Sequence, residues 1–465
     1  MTTTDLCLQP LEGVARRIAA KEISPVDVTD AVLARIQRLN PHLNAYMTVT
    51  AEQARAAALA AEREIAGGAY RGALHGIPIG IKDLFDTKGI RTTAGSKIMA
   101  DRVPDRDATV VAKLAEAGAV SLGKLGMHEF AYGVTSDNAH YGPVRNPWNV
   151  EHVPGGSSGG SGAATAAGLA FATLGSDTGG SIRMPAAVCG CVGLMPTYGR
   201  ASLHGAVPLS WTLDHAGPLT RTVRDAAIVM RAISGHDPLD PTTERVPVPD
   251  WLQDIERGAK GLRIGVPKQY FWDHCDAEVL ALVRKALADL ESAGARIVEA
   301  EFPHGDAYRS ALMAVMFAEA AAFHAETFPS RRADYGDQVA ALLQAGHGIT
   351  AIQYVLAMRA LQQSRAGEAD AMLEGVDVWA VPTTPVPAPT IESSRAADPA
   401  LLMAQNTGVF DLTGQPAIAV PCGLTSKKLP VSVMFAARRW DEASVLWAGR
   451  AYEQVRGEFP APPLA

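Results

Sequence analysis

Short apolar segments alternate with helical segments along much of this chain, and this order constrains its fold more strongly than any other sequence feature. The alternation is clearest after Asp107. It is typical of a sheet that is covered by helices on both faces. The predicted strands are 119–123, 170–175, 262–267, 296–302, 376–382 and 416–421, and the predicted helices include 108–118, 161–169 and 278–293. The pattern therefore predicts an α/β fold.

The remaining segments favour one large domain. The first 70 residues are predicted to be helical apart from a short break, and the glycine-bounded apolar run Gly76–Asp83 predicts a buried strand with Lys82 at its end. The proline-rich segments Gly235–Pro249 and Pro382–Pro399 are candidate linkers, but neither precedes an independent-looking module. We predict a single domain over 1–465, with a helical segment at 1–70, a catalytic core at about 71–235 and a remainder, 236–465, that completes the sheet and the pocket.

The composition argues against several classes of protein. A net charge of −7 gives no electrostatic footprint for direct binding of nucleic acid. The five cysteines are sparse and odd in number, so a disulfide framework is not expected and a reducing cytoplasm is predicted. The most apolar stretches, 163–175 and 311–323, are too short to span a bilayer, and no signal peptide is predicted.

Two glycine–serine loops flank one predicted helix–strand unit between Gly155 and Pro185. The first reads Gly-Gly-Ser-Ser-Gly-Gly-Ser-Gly at 155–162, and the second reads Gly-Ser-Asp-Thr-Gly-Gly-Ser-Ile-Arg at 175–183. Glycines allow successive backbone N–H groups to converge on one point and bind an anion. In the second loop such a group of N–H donors would lie beside the hydroxyl of Ser181. This arrangement suits a nucleophile next to its own oxyanion hole.

Three other interpretations of these loops stay open at this stage. They could be plain glycine–serine turns without chemistry. The first loop also has the glycine spacing of a phosphate-binding loop, although Ser161 stands where that motif requires lysine. Finally, Gly155–Gly159 matches the nucleophile elbow of α/β-hydrolases, which would make Ser157 the nucleophile, but the preceding segment 146–154 has no strand pattern.

Lys82 is unusual because it ends an apolar run that is predicted to be buried. Buried lysines are normally paired, so an ion pair with Asp83 or a side chain that reaches back to solvent would explain it without any chemistry. A functional explanation is a neutral amine that serves as a base for the serines. Lowering the pKa of a lysine by ~3 units through burial costs roughly 4 kcal/mol, which a chain of this size tolerates.

Five motifs of this chain together resemble one enzyme family. They are Gly80–Asp83, Gly155–Gly160, Gly175–Arg183, Gly193–Thr197 and Leu412–Pro421. In these motifs and their spacing, over essentially the whole length, the chain is similar to the amidase signature family. The resemblance implies a single large domain in which a mixed, twisted central sheet is covered by helices.

The resemblance also implies a catalytic triad and an oxyanion hole. Ser181 would attack the carbonyl carbon, and Ser157, after a cis peptide bond from Gly156, would relay the proton to Lys82. The backbone N–H groups that would hold the oxyanion are those of Thr178, Gly179, Gly180 and Ser181. No metal or cofactor is expected.

Other residues are expected to support the triad or to line the pocket. Ser158, Asp177 and Arg183 would orient the two loops by hydrogen bonding. Candidates for the pocket wall are Met127, Phe130, Tyr132, Trp211 and the helical segment 308–328. His128 is expected to be a packed histidine and not a base.

Three functions are compatible with these residues. The first is a free-standing amidase that acts on small or aryl amides, and also on carbamates, without nucleic acid or membrane as a partner. The second is the glutaminase subunit of a tRNA-dependent amidotransferase, and the third is a binding module that has lost catalysis. Intact Lys82, Ser157 and Ser181 argue against the third. A homodimer is a further expectation from the family.

Overall fold

The core of the protein is one continuous sheet of eleven strands, seen in a computed structural model that describes residues 6–396 and 401–464. A separate two-stranded ribbon, β4–β5, lies outside this sheet. The strands are β1 Tyr46–Val49, β2 Pro78–Lys82, β3 Val120–Leu125, β4 Asp137–Asn138, β5 Gly142–Pro143, β6 Ala172–Asp177, β7 Val192–Met195, β8 His215–Thr220, β9 Arg263–Pro267, β10 Arg296–Ala300, β11 Val378–Pro382, β12 Ala417–Leu424 and β13 Pro430–Ala436.

The large sheet is mixed, with parallel pairs near both ends and antiparallel pairs in the middle. Its strand order is β1-β3-β2-β6-β8-β7-β12-β13-β11-β9-β10. The pairs β3–β2, β2–β6, β11–β9 and β9–β10 are parallel, and the others are antiparallel. Strands from the N-terminal and C-terminal halves therefore form one sheet, and the predicted fold class is confirmed.

Helices flank this sheet. They are α1 Leu11–Ala19, α2 Pro25–Leu43, α3 Ala51–Ala66, α4 Thr109–Glu116, α5 Gly159–Ala166, α6 Arg183–Cys189, α7 Val223–Ile233, α8 Ala277–Ser292, α9 Gly305–Phe323, α10 Phe328–Arg331, α11 Asp337–Gly346, α12 Ala351–Gln363, α13 Ala369–Ala371, α14 Ile391–Ser394, α15 Gly408–Thr413 and α16 Glu442–Arg456. Short 3₁₀ or π turns lie at 97–99, 129–131, 332–334 and 364–368.

The predicted strands and helices named above all occur, with ends that shift by a few residues. The prediction that the first 70 residues are helical is wrong at Tyr46–Val49, which forms the edge strand β1. The strands β7, β8 and β13 were not predicted. The proposed subdivision of 1–465 stays a prediction, and residues 1–5, 397–400 and 465, including the end of the candidate linker Pro382–Pro399, lie outside the described residues.

Helix α5 packs closely against the backbone at Ala45 and Gly126 because its first residues are small. All eight residues of α5 are buried. A Cβ atom on Gly160 would lie 2.4 Å from the carbonyl oxygen of Gly126 and 2.6 Å from that of Ala45. Glycine at 160 thus lets the start of α5, with the serines that precede it, come up against the backbone of its neighbours.

No single helix within 6–396 and 401–464 is long and apolar enough to cross a membrane. Two sharply bent helix pairs, 305–323 with 328–334 and 337–346 with 351–371, pass the same test of length and composition.

We predict that Gly123 is required for the pairing of β1 with β3. Its φ is +130°, and a Cβ atom there would lie 2.1 Å from the carbonyl oxygen of Thr48. Gly72 has nearly the same φ, +125°, but no atom lies within 4 Å of its Cβ position. Gly123→Ala should therefore lower the free energy of unfolding by about 2 kcal/mol more than Gly72→Ala does, because only the first adds an overlap. Denaturant unfolding measures both losses, and equal losses would contradict this account of β1.

Candidate active site

The amine of Lys82 is completely buried at the end of β2 and contacts three serine hydroxyls. Strand β2 lies between β3 and β6, and all five of its residues are buried. Lys82 Nζ lies 2.7 Å from Ser157 Oγ, 2.8 Å from Ser158 Oγ and 2.8 Å from Ser176 Oγ. Ser157 and Ser158 belong to the loop before α5, and Ser176 belongs to β6, the strand next to β2.

The two explanations of Lys82 that involve no chemistry are wrong. The amine does not reach solvent, since the exposed fraction of Lys82 is 0%. The carboxylate of Asp83 does not pair with it, because Asp83 Oδ2 accepts hydrogen bonds from the Thr93 hydroxyl at 2.6 Å and the Thr93 N–H at 3.0 Å. Burial lowers the pKa of Lys82 to about 7, although the negative charges of Asp177 and Asp214 act in the opposite direction.

The hydrogen bonds around Lys82 indicate how a neutral amine would use its three partners. Ser158 Oγ donates to the Ser176 carbonyl oxygen at 3.1 Å, so it can only accept from Lys82. A neutral amine has two N–H donors and one lone pair. If the donors point to Ser158 and Ser176, the lone pair faces the hydroxyl of Ser157. This arrangement gives Ser157 the position of a proton donor to Lys82.

The backbone around Ser157 is held by its own neighbours. The Gly156–Ser157 peptide bond is cis, as the resemblance implies. The Ser157 carbonyl oxygen accepts the His128 N–H at 3.0 Å and the Ser136 hydroxyl at 3.2 Å. The segment 146–154 before this loop contains no strand, so the nucleophile elbow is wrong. These contacts place the Ser157 side chain on the side of Lys82.

Asp177 and Arg183 shape the loop that carries Ser181. The Asp177 carboxylate accepts the N–H of Ile182 at 3.0 Å, the N–H of Gly180, and the Arg183 Nε and Nη2 at 3.0 Å each. Arg183 Nη2 also donates to Asp411 Oδ2 at 2.6 Å. Burial alone would raise the pKa of Asp177, but the guanidinium of Arg183 lowers it well below its usual range. Burial and the charge of Asp177 raise the pKa of Asp411.

The expected oxyanion donors are not equivalent in the structure. The Gly180 N–H already donates to Asp177 Oδ1. Within 6–396 and 401–464, the N–H groups of Gly179 and Ser181 have no hydrogen-bond acceptor. Thr178 donates its hydroxyl to Asp214 Oδ1 at 2.6 Å, which fixes the start of the loop. The backbone N–H of Gly180 is therefore not available to bind an oxyanion, because it holds the shape of the loop through Asp177.

One link of the expected relay is not formed as a direct hydrogen bond between the described residues. Among the residues that the structure describes, no hydrogen bond joins the hydroxyls of Ser157 and Ser181. The Ser158 N–H donates to the Ser181 carbonyl oxygen at 3.3 Å, so the two loops are in contact through their backbones. Catalytic hydrogen bonds of this kind are often long before substrate binds.

A pocket opens beside Ser181. It has about 770 Å³ of empty space, part of it open to solvent. The segment 131–134, the loop at 178–181 and the helix α9 form most of its wall. From α9 come Arg309, Leu312, Met313, Met316 and Phe317, and other lining residues include Met184, Leu209, Leu342, Leu401 and Ala404.

The structure brings some of the predicted pocket residues together beside Ser181 and places others elsewhere. Tyr132 lines the pocket, as do side chains between 309 and 317 of the predicted segment 308–328. Met127 is buried in the core, and Phe130 packs its ring against His324 at a centroid distance of 4.3 Å. Phe130 has a positive φ of 49°, so the backbone turns sharply between it and Tyr132. Trp211 is exposed and contacts Phe323.

His128 is a packed histidine, as expected. Its exposed fraction is 2%, and burial lowers its pKa to about 4, so the ring is neutral near pH 7. Its Nδ1 lies 3.3 Å from the Thr135 hydroxyl. Within the described parts of the chain, no group of three or more histidine, cysteine or acidic side chains could hold a metal ion.

Sequence reasoning missed several residues of this site. Ser176 is the third partner of Lys82, Asp214 holds Thr178, and Asp411 pairs with Arg183. Burial raises the pKa of Asp214 to about 6. The motif at 175–183 contained Ser176, but only the pairing of β6 with β2 shows that its side chain reaches Lys82.

Comparison with known proteins agrees with the fold. The family model described as Amidase matches residues 27–446. A Glutamyl-tRNA(Gln) amidotransferase subunit from Geobacter metallireducens (strain ATCC 53774 / DSM 7210 / GS-15) is 41% identical over 480 residues, covering 98% of each chain. The native peptide amidase of Stenotrophomonas maltophilia superposes with a TM-score of 0.87 at 32% identity, covering 98% of each chain.

A second similar structure comes from a vestigial protein complex that reveals the evolutionary origins of an s-triazine catabolic enzyme. It superposes with a TM-score of 0.91 at 34% identity and covers 97% of this chain and 100% of that one. The fold, the buried lysine and these matches define a hydrolase that acts on C–N bonds. The chain belongs to the Amidase family.

We predict that amide hydrolysis by this chain depends on the neutral form of Lys82. Since the pKa of Lys82 is about 7, protonation removes the base as the pH falls through this value. The acylation rate should drop about tenfold for each pH unit below 7 and level off above it. The pH profile of kcat/KM measures this, and a flat profile from pH 5 to 9 would rule out a neutral lysine base. Asp214→Asn removes a negative charge that raises the pKa of Lys82. This variant should therefore move the acidic limb of the kcat/KM profile to lower pH.

We further predict that Ser176 raises the pKa of Lys82 and positions its amine, but takes no part in the reaction itself. A protonated Lys82 can donate to all three hydroxyls, whereas the neutral amine donates to two, so loss of Ser176 disfavours the charged form. Ser176→Ala should therefore shift the acidic limb down by up to about one pH unit and lower kcat by about tenfold through looser positioning of the amine. Ser161→Ala is the matched control, because the Ser161 hydroxyl donates to the Leu174 carbonyl oxygen and does not contact Lys82. An unshifted limb in Ser176→Ala would refute this role.

Proposed function

We propose that this chain hydrolyses carboxamide C–N bonds with Ser181 as nucleophile, Ser157 as proton relay and Lys82 as base. The observation that carries the proposal is the fully buried Lys82 amine, bonded to the Ser157 hydroxyl at 2.7 Å and with its pKa lowered to about 7. A buried amine of this kind is a base near neutral pH, and a serine hydroxyl is its immediate partner.

In the first half of the reaction, Ser181 Oγ attacks the carbonyl carbon of the amide. Its proton passes to Ser157 Oγ while the proton of Ser157 passes to Lys82 Nζ. The N–H groups of Gly179 and Ser181, which have no other acceptor in the described parts of the chain, would bind the oxyanion of the tetrahedral intermediate. Substrate binding would bring the hydroxyls of Ser157 and Ser181 into hydrogen-bonding contact.

In the second half, the C–N bond breaks and Lys82 returns its proton through Ser157 to the leaving amine. Water then attacks the acyl-enzyme and gives its proton to the same relay, which releases the acid and restores Ser181. Ser158, Asp177 and Arg183 take no proton in this scheme. They hold Lys82 and the nucleophile loop in place.

The chemistry of the pocket supports a free-standing amidase for substrates with an apolar body. Most of the residues that line it are apolar, and Arg309 is the one charged side chain among the described lining residues. No carboxylate belongs to this lining within the described residues. Small amides, aryl amides and related carbamates would be bound mainly by contact with Leu312, Met316 and Phe317.

A second candidate is a glutaminase role in an amidotransferase, with a protein partner. The observation that favours it is the 41% identity to an amidotransferase subunit over nearly the whole chain. Glutamine, however, carries an ammonium group next to its carboxylate. A buried ammonium normally needs an acidic partner, which the described pocket lining does not supply. The pocket thus favours the first candidate and the sequence likeness the second.

We predict that the purified chain alone, without ATP or a partner, hydrolyses apolar primary and aryl amides at least about tenfold faster than glutamine. One unpaired buried charge costs well over the energy of such a factor. Release of ammonia or aryl amine over a panel of aliphatic amides, anilides, carbamates and glutamine measures the ratio. Glutaminase activity that exceeds all other activities, or that appears only with a partner, would establish the second candidate.

Ser181→Ala is the control for the chemistry in this experiment. It should abolish turnover of every substrate and labelling by a fluorophosphonate, with the fold intact by circular dichroism. Residual activity at the wild-type rate would remove Ser181 as the nucleophile. Label on Ser157 in place of Ser181 would reverse their roles.

A further inference from the structure

Two polar groups stand out in the pocket because neither is used by the proposed chemistry. They belong to the lining residues Tyr132 and Arg309. The other polar lining residues, Thr178 and Ser181, belong to the nucleophile loop. Since the remaining wall is largely apolar, these two groups are where the pocket can distinguish one amide from another.

The Tyr132 hydroxyl is buried without a partner. The exposed fraction of Tyr132 is 3%, and its oxygen has no hydrogen-bond partner among the described residues. A buried hydroxyl left unpaired costs about 1–3 kcal/mol, so such groups in native proteins call for an explanation. An acceptor on a bound ligand would supply the missing partner.

Arg309 lies at the open side of the same pocket. Its side chain is exposed, and it makes no hydrogen bond or ion pair within the parts of the chain that the structure describes. Arg309 faces the pocket because of its position on α9. It shares one face of this helix with the lining residues Leu312, Met313, Met316 and Phe317. The guanidinium therefore faces along the same wall as the apolar residues.

The residues on this face of α9 line the pocket in a fixed order from Arg309 to Phe317. Leu312 lies next to the loop at 178–181, since its Cδ2 would be 4.0 Å from a Cβ atom added to Gly179. Arg309 is one turn away from Leu312, and Phe317 lies about 12 Å from Arg309 along the axis. The Tyr132 ring packs edge-on against Phe317 at a centroid distance of 5.8 Å. Arg309 and the Tyr132 ring thus lie toward opposite ends of this apolar wall, and the lining between them and around them includes Ser181. We call this lining the trough.

We propose that this trough selects amides whose apolar body carries a polar group toward one of its ends. At the open end, Arg309 pairs with a carboxylate of the substrate. At the closed end, Tyr132 donates a hydrogen bond to an acceptor of the substrate. This inference rests on the proposed function and deepens it, since it names the substrate class as apolar amides with a carboxylate or an acceptor on the tail.

Three matched series of primary amides test the proposal. The first has plain alkyl tails of four to eight carbons, the second ends in a carboxylate, and the third has an ether oxygen in place of one methylene. At its best length, the wild type should prefer the carboxylate over the alkyl tail about fivefold in kcat/KM, as expected for an ion pair at a partly exposed site. It should prefer the ether about fivefold, as expected for one hydrogen bond.

Substitution of Arg309 and of Tyr132 tests which residue causes the carboxylate preference and which causes the ether preference. Arg309→Gln should abolish the carboxylate preference, measured as the ratio of kcat/KM between the carboxylate and alkyl series within the same variant. Tyr132→Phe should abolish the ether preference and leave the melting temperature equal or higher, because it removes an unpaired buried hydroxyl. The matched controls are Arg359→Gln, an exposed arginine on α12, and Tyr308→Phe, a buried tyrosine on α9, and neither lines the pocket. Both controls should retain the two preferences.

The proposal is overturned if the wild type shows neither preference, or if Arg309→Gln or Tyr132→Phe keeps the preference assigned to it. Ser181→Ala separates this result from the proposed function. If Ser181→Ala abolishes turnover of all three series while the preferences do not respond to Arg309 or Tyr132, the chemistry stands and the specificity inference fails. If Ser181→Ala retains turnover, the proposed function fails.

Discussion

The site depends on one unfavourable placement, the amine of Lys82 deep in the sheet without a carboxylate as its direct partner. Burial removes the water that would stabilise a charged amine, so the pKa falls to about 7. The three serine hydroxyls make this placement tolerable, because each can hydrogen-bond the amine in either protonation state. A direct carboxylate partner would have kept the lysine charged and unable to accept a proton.

The pairing of the strands brings the hydrogen-bond partners of the Lys82 amine together. Lys82 ends β2, Ser176 lies on the adjacent strand β6, and Ser158 precedes α5, whose glycines allow close packing. Residues distant in the chain therefore meet at one edge of two parallel strands. Motif reading predicted the strand of Lys82 and the two serine loops, because glycine and serine patterns are local. It could not predict the role of Ser176, because that contact depends on how β2 and β6 pair.

The same distinction between local and long-range information explains the other errors. Strand β8 contains Gly217 and Pro218, which argue against a strand in a sequence but are accommodated here between β6 and β7. Met127, Phe130 and Tyr132 belong to one motif, yet only Tyr132 reaches the pocket, because the backbone has a positive φ at Phe130. Apolar composition predicts that a side chain is buried. It does not distinguish a pocket wall from the core behind it.

Arg183 connects the shape of the nucleophile loop to the charge balance at Lys82. Its guanidinium binds both Asp177 and Asp411 inside the protein, and Asp177 in turn fixes the N–H groups of Gly180 and Ile182. An isolated buried carboxylate at 177 would tend to take up a proton or to hold Lys82 in its charged form. Paired with Arg183, Asp177 stays ionised as a loop anchor, and its negative charge raises the pKa of Lys82. Burial of the amine outweighs this charge and lowers the pKa to about 7, so a rigid, charged anchor can lie in the same site as an amine that must be neutral to work.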